Sequence, residues 1–187
     1  MERALMKELR RWKASPRRKP LVLKGARQVG KTWLMKELGR QCYAKTAYVN
    51  FDRNPRMKQV FDQDLDIERI LMAINLETGV RVTPHDTLII FDEVQEAPRA
   101  ISAFKYFCED APDYHIIAAG SQIGVAIHAG ISFPVGKVNV MQLYPLSFYE
   151  FLHAVGEEGL VRVLDDKNTE MMTLFHDRFT TWLKNYY

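Results

Sequence analysis

One stretch of eight residues, GARQVGKT from Gly25 to Thr32, restricts the fold of this chain more than any other. It matches the pattern G-x-x-x-x-G-K-[S/T], in which glycines allow a tight turn while a lysine and a hydroxyl reach phosphate and metal. An apolar run that starts at Leu21 precedes it, and a helix-like run starts at Lys31. An ordinary strand-to-helix turn is the alternative interpretation. A strand before the motif and a helix after it favour a phosphate-binding loop.

The residues of this loop have separate expected roles. The backbone N–H groups of the turn and of the helix N-terminus should surround a β-phosphate. Lys31 should reach the β- and γ-phosphates, and the hydroxyl of Thr32 should bind Mg²⁺. The predicted nucleotide-binding residues are Gly25, Ala26, Arg27, Gln28, Val29, Gly30, Lys31, Thr32 and Trp33.

Composition limits the class of protein. Of the 187 residues, 47% are hydrophobic and 26% charged, which suits one α/β core and differs from disordered chains. Every apolar run is shorter than the ~20 residues of a membrane span, so we expect a soluble, cytoplasmic protein without a membrane partner. Cys42 and Cys108 lack C-x-x-C spacing, which favours two buried thiols over a disulfide or a metal site.

Strand-like and helix-like segments alternate along the chain. Predicted strands cover residues 21–25, 46–52, 87–93, 114–120 and 137–144. This alternation predicts a three-layer α/β sandwich, with a central parallel sheet of about five strands and helices on both faces. Residues 171–187 have apolar positions at helical spacing and predict one amphipathic helix that continues beyond Tyr187. We expect a basic N-terminal helix and connector in residues 1–19, a core built around the phosphate-binding loop in 20–155 and the start of a truncated helical lid in 156–187.

The strand TLIIFDE, residues 87–93, ends in two acids. Ligands of open α/β sheets bind at the carboxyl ends of the strands, where these acids should lie. Asp92 would hold the Mg²⁺ shell, and Glu93 would orient and polarise the water that attacks a γ-phosphate. A solvated acidic pair at a strand end is the alternative, and the lysine-containing loop makes the catalytic interpretation the stronger one.

Positive charge concentrates at the N-terminus. Leu5, Leu9 and Trp12 share one face of a predicted helix, with charges on the other face. The pattern favours a solvated face on a docking helix over a nucleic-acid contact, because neither aromatic interleaving nor a recognition motif accompanies the charge. Residues 1–20 contain Glu2 and Glu8 as acids and, as bases, Arg3, Lys7, Arg10, Arg11, Lys13, Arg17, Arg18 and Lys19.

One predicted strand lies between the phosphate-binding loop and the acidic strand, and another follows the acidic strand. This arrangement resembles that of the additional-strand division of P-loop NTPases. That resemblance implies the sheet order 5-1-4-3-2, with the acidic strand separated from the strand that precedes the loop. Ser121 in AAGSQ then lies where such enzymes keep a polar residue that senses the γ-phosphate. A helix N-cap is an equally good interpretation of Ser121.

Three longer stretches make the resemblance more specific: KPLVLKGARQVGKTWLMKELG, TLIIFDEVQEAPRAISAFKYFCE and AAGSQIGVAIHAGISFPVGKVNVMQLYPLSFYEFL. Together they resemble the N-terminal part of bacterial and archaeal AAA-type ATPases that carry a C-terminal nuclease-like domain of unknown function. The segment YPLSFYEFL is the most specific to this family. The resemblance implies ATP or ADP as ligand, Mg²⁺ as cofactor, and hydrolysis coupled to a conformational change in a larger protein.

Two further site residues come from this resemblance alone. Asn50, near the end of the second strand, resembles the polar residue that restrains the catalytic glutamate in many AAA-type enzymes; a simple strand-end asparagine is the alternative. Residues 121–136 contain no Arg or Lys where such enzymes carry a trans-acting arginine. Either Lys137 takes that role or no such residue is supplied, and the isolated chain should then be a slow enzyme.

The leading interpretation is therefore an ATP-binding, Mg²⁺-dependent ATPase domain. A nucleotide-gated interaction switch with negligible turnover is the main alternative, and a DNA-associated ATPase that uses the basic N-terminal helix is another. AAA-type relatives often form rings, so a homo-oligomer is a further expectation.

Overall fold

The computed structural model describes residues 3–120 and 133–187, and it divides into two compact units. The larger unit covers Lys7–Leu143. The smaller unit joins the N-terminal residues up to Met6 to Tyr144–Tyr187. The three-part organisation predicted from the sequence, with boundaries after residues 19 and 155, stays a prediction.

The larger unit is built on one parallel sheet. Its order is β2-β3-β4-β1-β5, which is the predicted order 5-1-4-3-2 read from the opposite edge. Neighbouring strands are parallel in all pairs of the described sheet. The predicted fold class and strand order are therefore confirmed. The strands are β1 (Leu21–Lys24), β2 (Lys45–Asn50), β3 (Thr87–Asp92), β4 (His115–Ala119) and β5 (Asn139–Gln142).

Helices cover both faces of this sheet. Alternate strand residues such as Val49 and Phe91 belong to a core shared with α3, α4 and α5. The intervening strand residues face the other side, because side chains alternate along a strand; α2 contacts β2, β3 and β4 and is not part of that core. The helices of this unit in the described ranges are α1 (Leu5–Ala14, which begins in the smaller unit), α2 (Lys31–Cys42), α3 (Pro55–Gln63), α4 (Ile67–Thr78) and α5 (Pro98–Asp110).

The central strands β3 and β4 are buried along their whole length. Their sequences TLIIFD and HIIAA are nearly continuous apolar runs, as expected of parallel strands covered on both faces. Phe91 packs edge-on against Phe61 and is stacked with Phe104, which joins the sheet to α3 and α5. The polar ends of the strands are thereby held at fixed positions on a rigid core.

Several elements end earlier than the sequence predicts. The second strand stops at Asn50 because a 3₁₀ turn, Phe51–Arg53, follows directly, and Asn50 caps it by accepting from the N–H of Asp52. The third strand stops at Asp92, since Glu93 has the left-handed conformation with φ 50° and ψ 44°. A second 3₁₀ turn, Val94–Glu96, begins there.

The predicted apolar face of α1 is present. Leu9 and Trp12 are buried, Leu5 is half-buried, and the indole N–H of Trp12 donates to the Lys19 carbonyl. Cys42 and Cys108 are free thiols, and both are half-buried where full burial is predicted. Among the described residues, no helix is both long and apolar enough to span a membrane.

In the smaller unit, the segment YPLSFYEFL forms the start of a helix together with its N-terminal cap. Ser147 and Glu150 form a capping box at the start of Phe148–Ala154. Glu150 also accepts from the Arg3 guanidinium at 3.0 Å and from the Ala4 N–H at 2.8 Å. Burial raises the pKa of Glu150, and these donors outweigh it and lower the pKa overall. One carboxylate thus joins the N-terminal residues to a helix near the other end of the chain.

The C-terminal stretch forms two helices where one is predicted. The helix is interrupted at Phe175, whose backbone has φ −103° and ψ 22°. Phe179 and Trp182 pack on a small core, whereas Leu174 is 73% exposed, so the apolar stripe is not continuous. The four helices of this unit in the described part are α6 (Phe148–Ala154), α7 (Glu158–Asp165), α8 (Thr169–Leu174) and α9 (His176–Tyr186).

Candidate functional site

The loop between β1 and α2 has the backbone of an anion cradle. Gln28 and Gly30 both have positive φ, 63° and 91°, and α2 begins directly afterwards at Lys31. No described side chain caps the first turn of α2, so its N–H groups and the positive end of the helix dipole face an open site. Gly25 is required for another reason, because a Cβ there would lie 2.5 Å from the Leu143 carbonyl oxygen.

Lys31 lies folded back over this loop. Its Nζ donates to the carbonyl oxygens of Gly25 at 2.9 Å and Ala26 at 2.6 Å. The residue is 8% exposed. Burial lowers the pKa of Lys31, and the negative charges of Glu93 and Asp92 partly oppose that effect. The ammonium group is therefore held at the loop by weak neutral acceptors, which phosphate oxygens can replace with stronger charge-assisted bonds.

Asp92 is the centre of a hydrogen-bonded group at the carboxyl end of β3. Its Oδ2 accepts from the Thr32 hydroxyl at 2.7 Å and from the Tyr48 hydroxyl at 2.9 Å. Its Oδ1 accepts from the N–H of Glu93 at 3.1 Å. Asp92 is buried. The register of the sheet produces this group, since Asn50 on β2 lies directly beside Asp92 and Tyr48 lies one pleat before it.

Tyr48 connects the strand end to α2. Its ring lies beneath the ammonium of Lys36, 3.9 Å from the centroid, and its hydroxyl accepts from Asn50 Nδ2 at 3.4 Å. Burial raises the pKa of Tyr48, and Asp92 raises it further. The phenol therefore stays protonated at neutral pH and donates to Asp92.

Glu93 follows the strand and is held by its own neighbours. Its Oε2 accepts from Gln95 Nε2 at 2.6 Å. Its carbonyl accepts from the N–H of Glu96 at 3.0 Å, which closes the 3₁₀ turn. A left-handed conformation is uncommon for a residue with a long side chain, and such conformations are concentrated at functional sites.

Lys31, Thr32 and Glu93 line one cavity of about 680 Å³, within the ~300–1,000 Å³ range of small-molecule sites. Asp92 is not in its wall and is joined to it through the hydrogen bond with Thr32. Its wall includes residues from the loop, the end of β2 and the turn after β3. Three cations and three carboxylates contribute. The lining residues are Arg27, Gln28, Gly30, Lys31, Thr32, Trp33, Asn50, Asp52, Arg53, Glu93, Gln95 and Glu96.

Another hollow, of about 580 Å³, lies in the smaller unit. Its wall consists of Met172, Thr173, Leu174, His176 and Asp177. His176 and Asp177 pair with each other at 3.6 Å, and nothing else in this wall converges on a ligand position. The cavity beside the loop is therefore the better candidate.

Two residues predicted for the site lie elsewhere or outside the described part. Lys137 precedes β5 at the amino ends of the strands, the end of the sheet away from the loop, where it pairs with Glu109 at 2.7 Å. It cannot reach the loop of its own chain, so its proposed role concerns a neighbouring copy only. Ser121 lies outside the described residues.

Asn50 lies in the cavity wall, but its described hydrogen bonds go to Tyr48 and Asp52. In this structure the amide that contacts Glu93 belongs to Gln95. The restraint of Glu93 by Asn50 therefore stays a prediction.

Sequence patterns do not predict Tyr48, Gln95 or Arg53 as site residues. Tyr48 shares a strand face with Asn50, two residues away, and this alternation is a signal that could have found it. Gln95 follows Glu93 by two residues, but nothing in that spacing predicts a contact before the backbone of Glu93 is known. Arg53 joins the cavity wall only because the 3₁₀ turn redirects the chain after β2.

The donors present fit a nucleotide phosphate group with a hard cation. Uncapped N–H groups and Lys31 suit phosphate oxygens, while the Thr32 hydroxyl and the Asp92 carboxylate are oxygen ligands of the kind that Mg²⁺ prefers. In the described part of the chain, no three His, Cys, Asp or Glu side chains form a metal cage. Mg²⁺ usually takes one or two protein carboxylates together with substrate phosphates and water.

Comparison with known proteins agrees with this geometry. A family model described as AAA domain matches residues 17–152, well over half of the chain. The chain is similar to the solved structure of a Walker-type ATPase of Pyrococcus abyssi, with a TM-score of 0.52 and 18% sequence identity. The similarity covers 91% of this chain and 62% of that one, so this chain spans less than two thirds of that protein's length. At this identity the likeness shows the fold. No curated protein matches the chain.

Proposed function

The chain belongs to the AAA domain family, and from this membership and the site geometry we propose that it is an ATPase domain that binds ATP with Mg²⁺ and hydrolyses it to ADP and phosphate. One observation carries the proposal. Thr32 and Asp92, 60 positions apart in the chain, are joined by a 2.7 Å hydrogen bond beside Lys31 and Glu93. A loop suited to phosphate and the carboxylate of Glu93 thus line one cavity, and Asp92 is bonded to a residue of its wall.

Binding is assigned to the loop and to the start of α2. The N–H groups from Gly30 to Thr32 would donate to the β-phosphate. Lys31 would leave the carbonyls of Gly25 and Ala26 and bind the β- and γ-phosphates, exchanging neutral acceptors for charged ones. The loop contains no base-reading element, so the preference for ATP rests on the family.

Thr32 and Asp92 would hold the magnesium ion. A magnesium ion held by these two residues would supply positive charge that stabilises the negative charge developing during phosphoryl transfer. The hydrogen bond between Thr32 Oγ1 and Asp92 Oδ2 keeps both oxygens within reach of one cation. Tyr48 fixes the same carboxylate from the β2 side and so limits its rotation.

Glu93 would accept a proton from the attacking water and orient that water in line with the γ-phosphate. Its position at the end of a buried strand and in the wall of the cavity supports this role. The family resemblance implies that hydrolysis serves a longer protein with a nuclease-like C-terminal domain, and coupling to that protein is part of the proposal.

The test is phosphate release from ATP at several protein concentrations, with a parallel titration of ATP binding. We expect ATP binding, turnover that stops when EDTA removes Mg²⁺, and a rate per chain that rises with concentration if a neighbour contributes a cation. Absence of ATP binding would overturn the proposal. A fast rate independent of concentration would remove only the contribution in trans.

A nucleotide-gated switch with negligible turnover is the second candidate. The observation that favours it is the ion pair of Lys137 with Glu109 at the amino ends of the strands, away from the loop. A missing cation lowers the rate of related NTPases by about 10³- to 10⁵-fold. Tight ATP binding without phosphate release at any protein concentration would support the switch.

Two partner predictions use the same preparation. Sedimentation with and without ATP tests a homo-oligomer. The salt dependence of DNA binding tests a nucleic-acid contact, since each released counterion adds to the slope. In this structure Lys13, Arg18 and Lys19 of the basic segment donate to backbone carbonyls of the larger unit, so some of their N–H groups are already engaged within the protein.

A further inference from the structure

We propose that Gln95 positions the attacking water of this ATPase. Its amide N–H holds the carboxylate of Glu93, and its amide oxygen accepts a hydrogen bond from the same water that Glu93 deprotonates. The inference rests on the proposed function and adds to it a residue that neither the sequence motifs nor the family match assigns.

The first observation is the direct contact between the two side chains. Gln95 Nε2 lies 2.6 Å from Glu93 Oε2. The opposite orientation of the amide would bring two oxygens to that distance, so the N–H must face the carboxylate. Gln95 therefore directs its carbonyl oxygen away from Glu93.

The second observation is that this carbonyl oxygen lacks a partner. Gln95 Oε1 is buried and accepts no hydrogen bond among the described residues. Buried polar atoms are nearly always paired, so the hydrogen bonding of this amide is incomplete in this conformation. Gln95 lines the cavity beside Lys31 and Thr32, and a rotation of its amide about the bond to Glu93 would turn Oε1 into the cavity, where one water would contact both this oxygen and the Glu93 carboxylate.

The backbone keeps Gln95 in place. Its predecessor Val94 is fully buried in the core, and the N–H of Ala97 donates to the Val94 carbonyl at 3.1 Å. The left-handed conformation of Glu93 begins this turn and brings residue 95 back beside residue 93. Both side chains thus belong to one short, anchored turn.

The arrangement suits a water with two protons. The water oxygen forms a bond to the γ-phosphorus, and the bond to the bridging oxygen breaks with its electron pair left on ADP. One water proton passes to Glu93. The other stays on the phosphate product and points at Gln95 Oε1 during the attack. Two fixed acceptors direct the oxygen lone pair toward the phosphorus, which is the positioning that hydrolysis requires.

Asn50 is less suited to this role in the described structure. Its Oδ1 accepts from the N–H of Asp52, and its Nδ2 donates to Tyr48. Both ends of that amide are therefore engaged. In Gln95 the amide nitrogen donates to Glu93, whereas the amide oxygen has no partner among the described residues.

The experiment compares Gln95→Ala and Gln95→Glu with the wild-type chain. Gln59→Ala, on an exposed side of α3, is the matched control. We expect Gln95→Ala to lower kcat about 100-fold with unchanged affinity for ATP. Gln95→Glu keeps an acceptor but replaces the donor with an oxygen that repels Glu93, so it should not restore the rate.

Two further measurements separate positioning from a merely structural role. In a Glu93→Gln background, Gln95→Ala should lower kcat little further, because the two residues act as a unit. Binding of ADP with aluminium fluoride, a mimic of the transferring phosphoryl group, should weaken about tenfold in Gln95→Ala while ADP binding stays unchanged. Thermal unfolding of each variant excludes loss of fold as the cause.

The outcomes distinguish this inference from the proposed function. If the wild-type chain does not bind ATP, the proposed function and the inference about Gln95 are both wrong. If it binds ATP and Gln95→Ala matches it in turnover and in analogue affinity, the inference alone is wrong. If the chain binds ATP without turnover, unchanged analogue affinity in Gln95→Ala overturns the inference and a loss supports it. Restoration of the rate by Gln95→Glu would contradict the role of the N–H donor.

Discussion

The phosphate loop and the carboxyl edge of β2 and β3 face the same cavity but are built in different ways. The loop is one continuous segment, Gly25–Thr32, whose function depends on backbone N–H groups and on two residues with positive φ. The edge is assembled from Tyr48, Asn50 and Asp92 on neighbouring strands, with Glu93 and Gln95 in the following turn.

This difference indicates which substitutions should affect nucleotide binding and which should affect turnover. Backbone geometry is set by local conformation, so the loop tolerates few changes at its glycines and depends on one lysine for charge. The edge depends on side chains held by the sheet register, so single substitutions there should alter turnover and leave binding intact. Substitutions in the two regions should therefore affect binding and turnover separately.

The largest expected effect lies at the edge. Glu93→Gln removes the proton acceptor without changing the size of the side chain, and turnover should fall about 10²- to 10⁴-fold. ATP affinity should stay within about threefold, because Glu93 is not a phosphate ligand. Phosphate release and ATP titration on one preparation measure both quantities. Loss of ATP binding together with turnover would show that the two regions do not act separately.

In the loop, Lys31→Ala should weaken ATP binding about 10- to 100-fold, as expected for losing a charged hydrogen-bond donor. Equilibrium titration with a fluorescent ATP analogue measures this. Lys105→Ala, an exposed lysine on α5, is the charge-matched control and should bind like the wild type. Tight binding by Lys31→Ala would contradict the assignment of the loop.

Gly25→Ala tests the loop by steric means. The new Cβ would lie 2.5 Å from the Leu143 carbonyl oxygen, so the strand β1 and the chain after β5 must separate. We expect a loss of about 1–3 kcal/mol in the free energy of unfolding, measured by urea denaturation. Gly159→Ala is the control, because nothing lies within 4 Å of a Cβ there. Equal stability of the two variants would contradict the close approach.

The smallest expected effect concerns Tyr48→Phe, which removes one donor from Asp92 and keeps the ring beneath Lys36. Turnover at saturating ATP should fall roughly two- to tenfold, in line with the loss of one hydrogen bond. The Mg²⁺ concentration needed for half-maximal rate should rise. Tyr149→Phe, whose hydroxyl contacts Asp165 in the smaller unit, should leave both values unchanged. No change in Tyr48→Phe would show that Thr32 alone orients the carboxylate.

Sequence patterns predicted much of the fold because its signals are local. Apolar runs marked all five strands of the described sheet, and their alternation with helices implied parallel pairing. Strand ends were less accurate, since a 3₁₀ turn after Asn50 and the left-handed Glu93 depend on packing around Phe51 and Val94. The pattern of residues 171–187 predicts one helix, but the structure has two helices there, and Phe179 and Trp182 of the second helix pack on a separate small core.

By itself the sequence determined the loop between β1 and α2, the acidic strand end and the order of elements, because each depends on consecutive residues whose backbone preferences need no distant partner. Only the tertiary structure decided that Tyr48 donates to Asp92, that Gln95 rather than Asn50 contacts Glu93, and that Lys137 lies at the amino end of β5, away from the loop. The physical reason is that these relations depend on strand register and on one backbone conformation, and both are consequences of how the whole core packs.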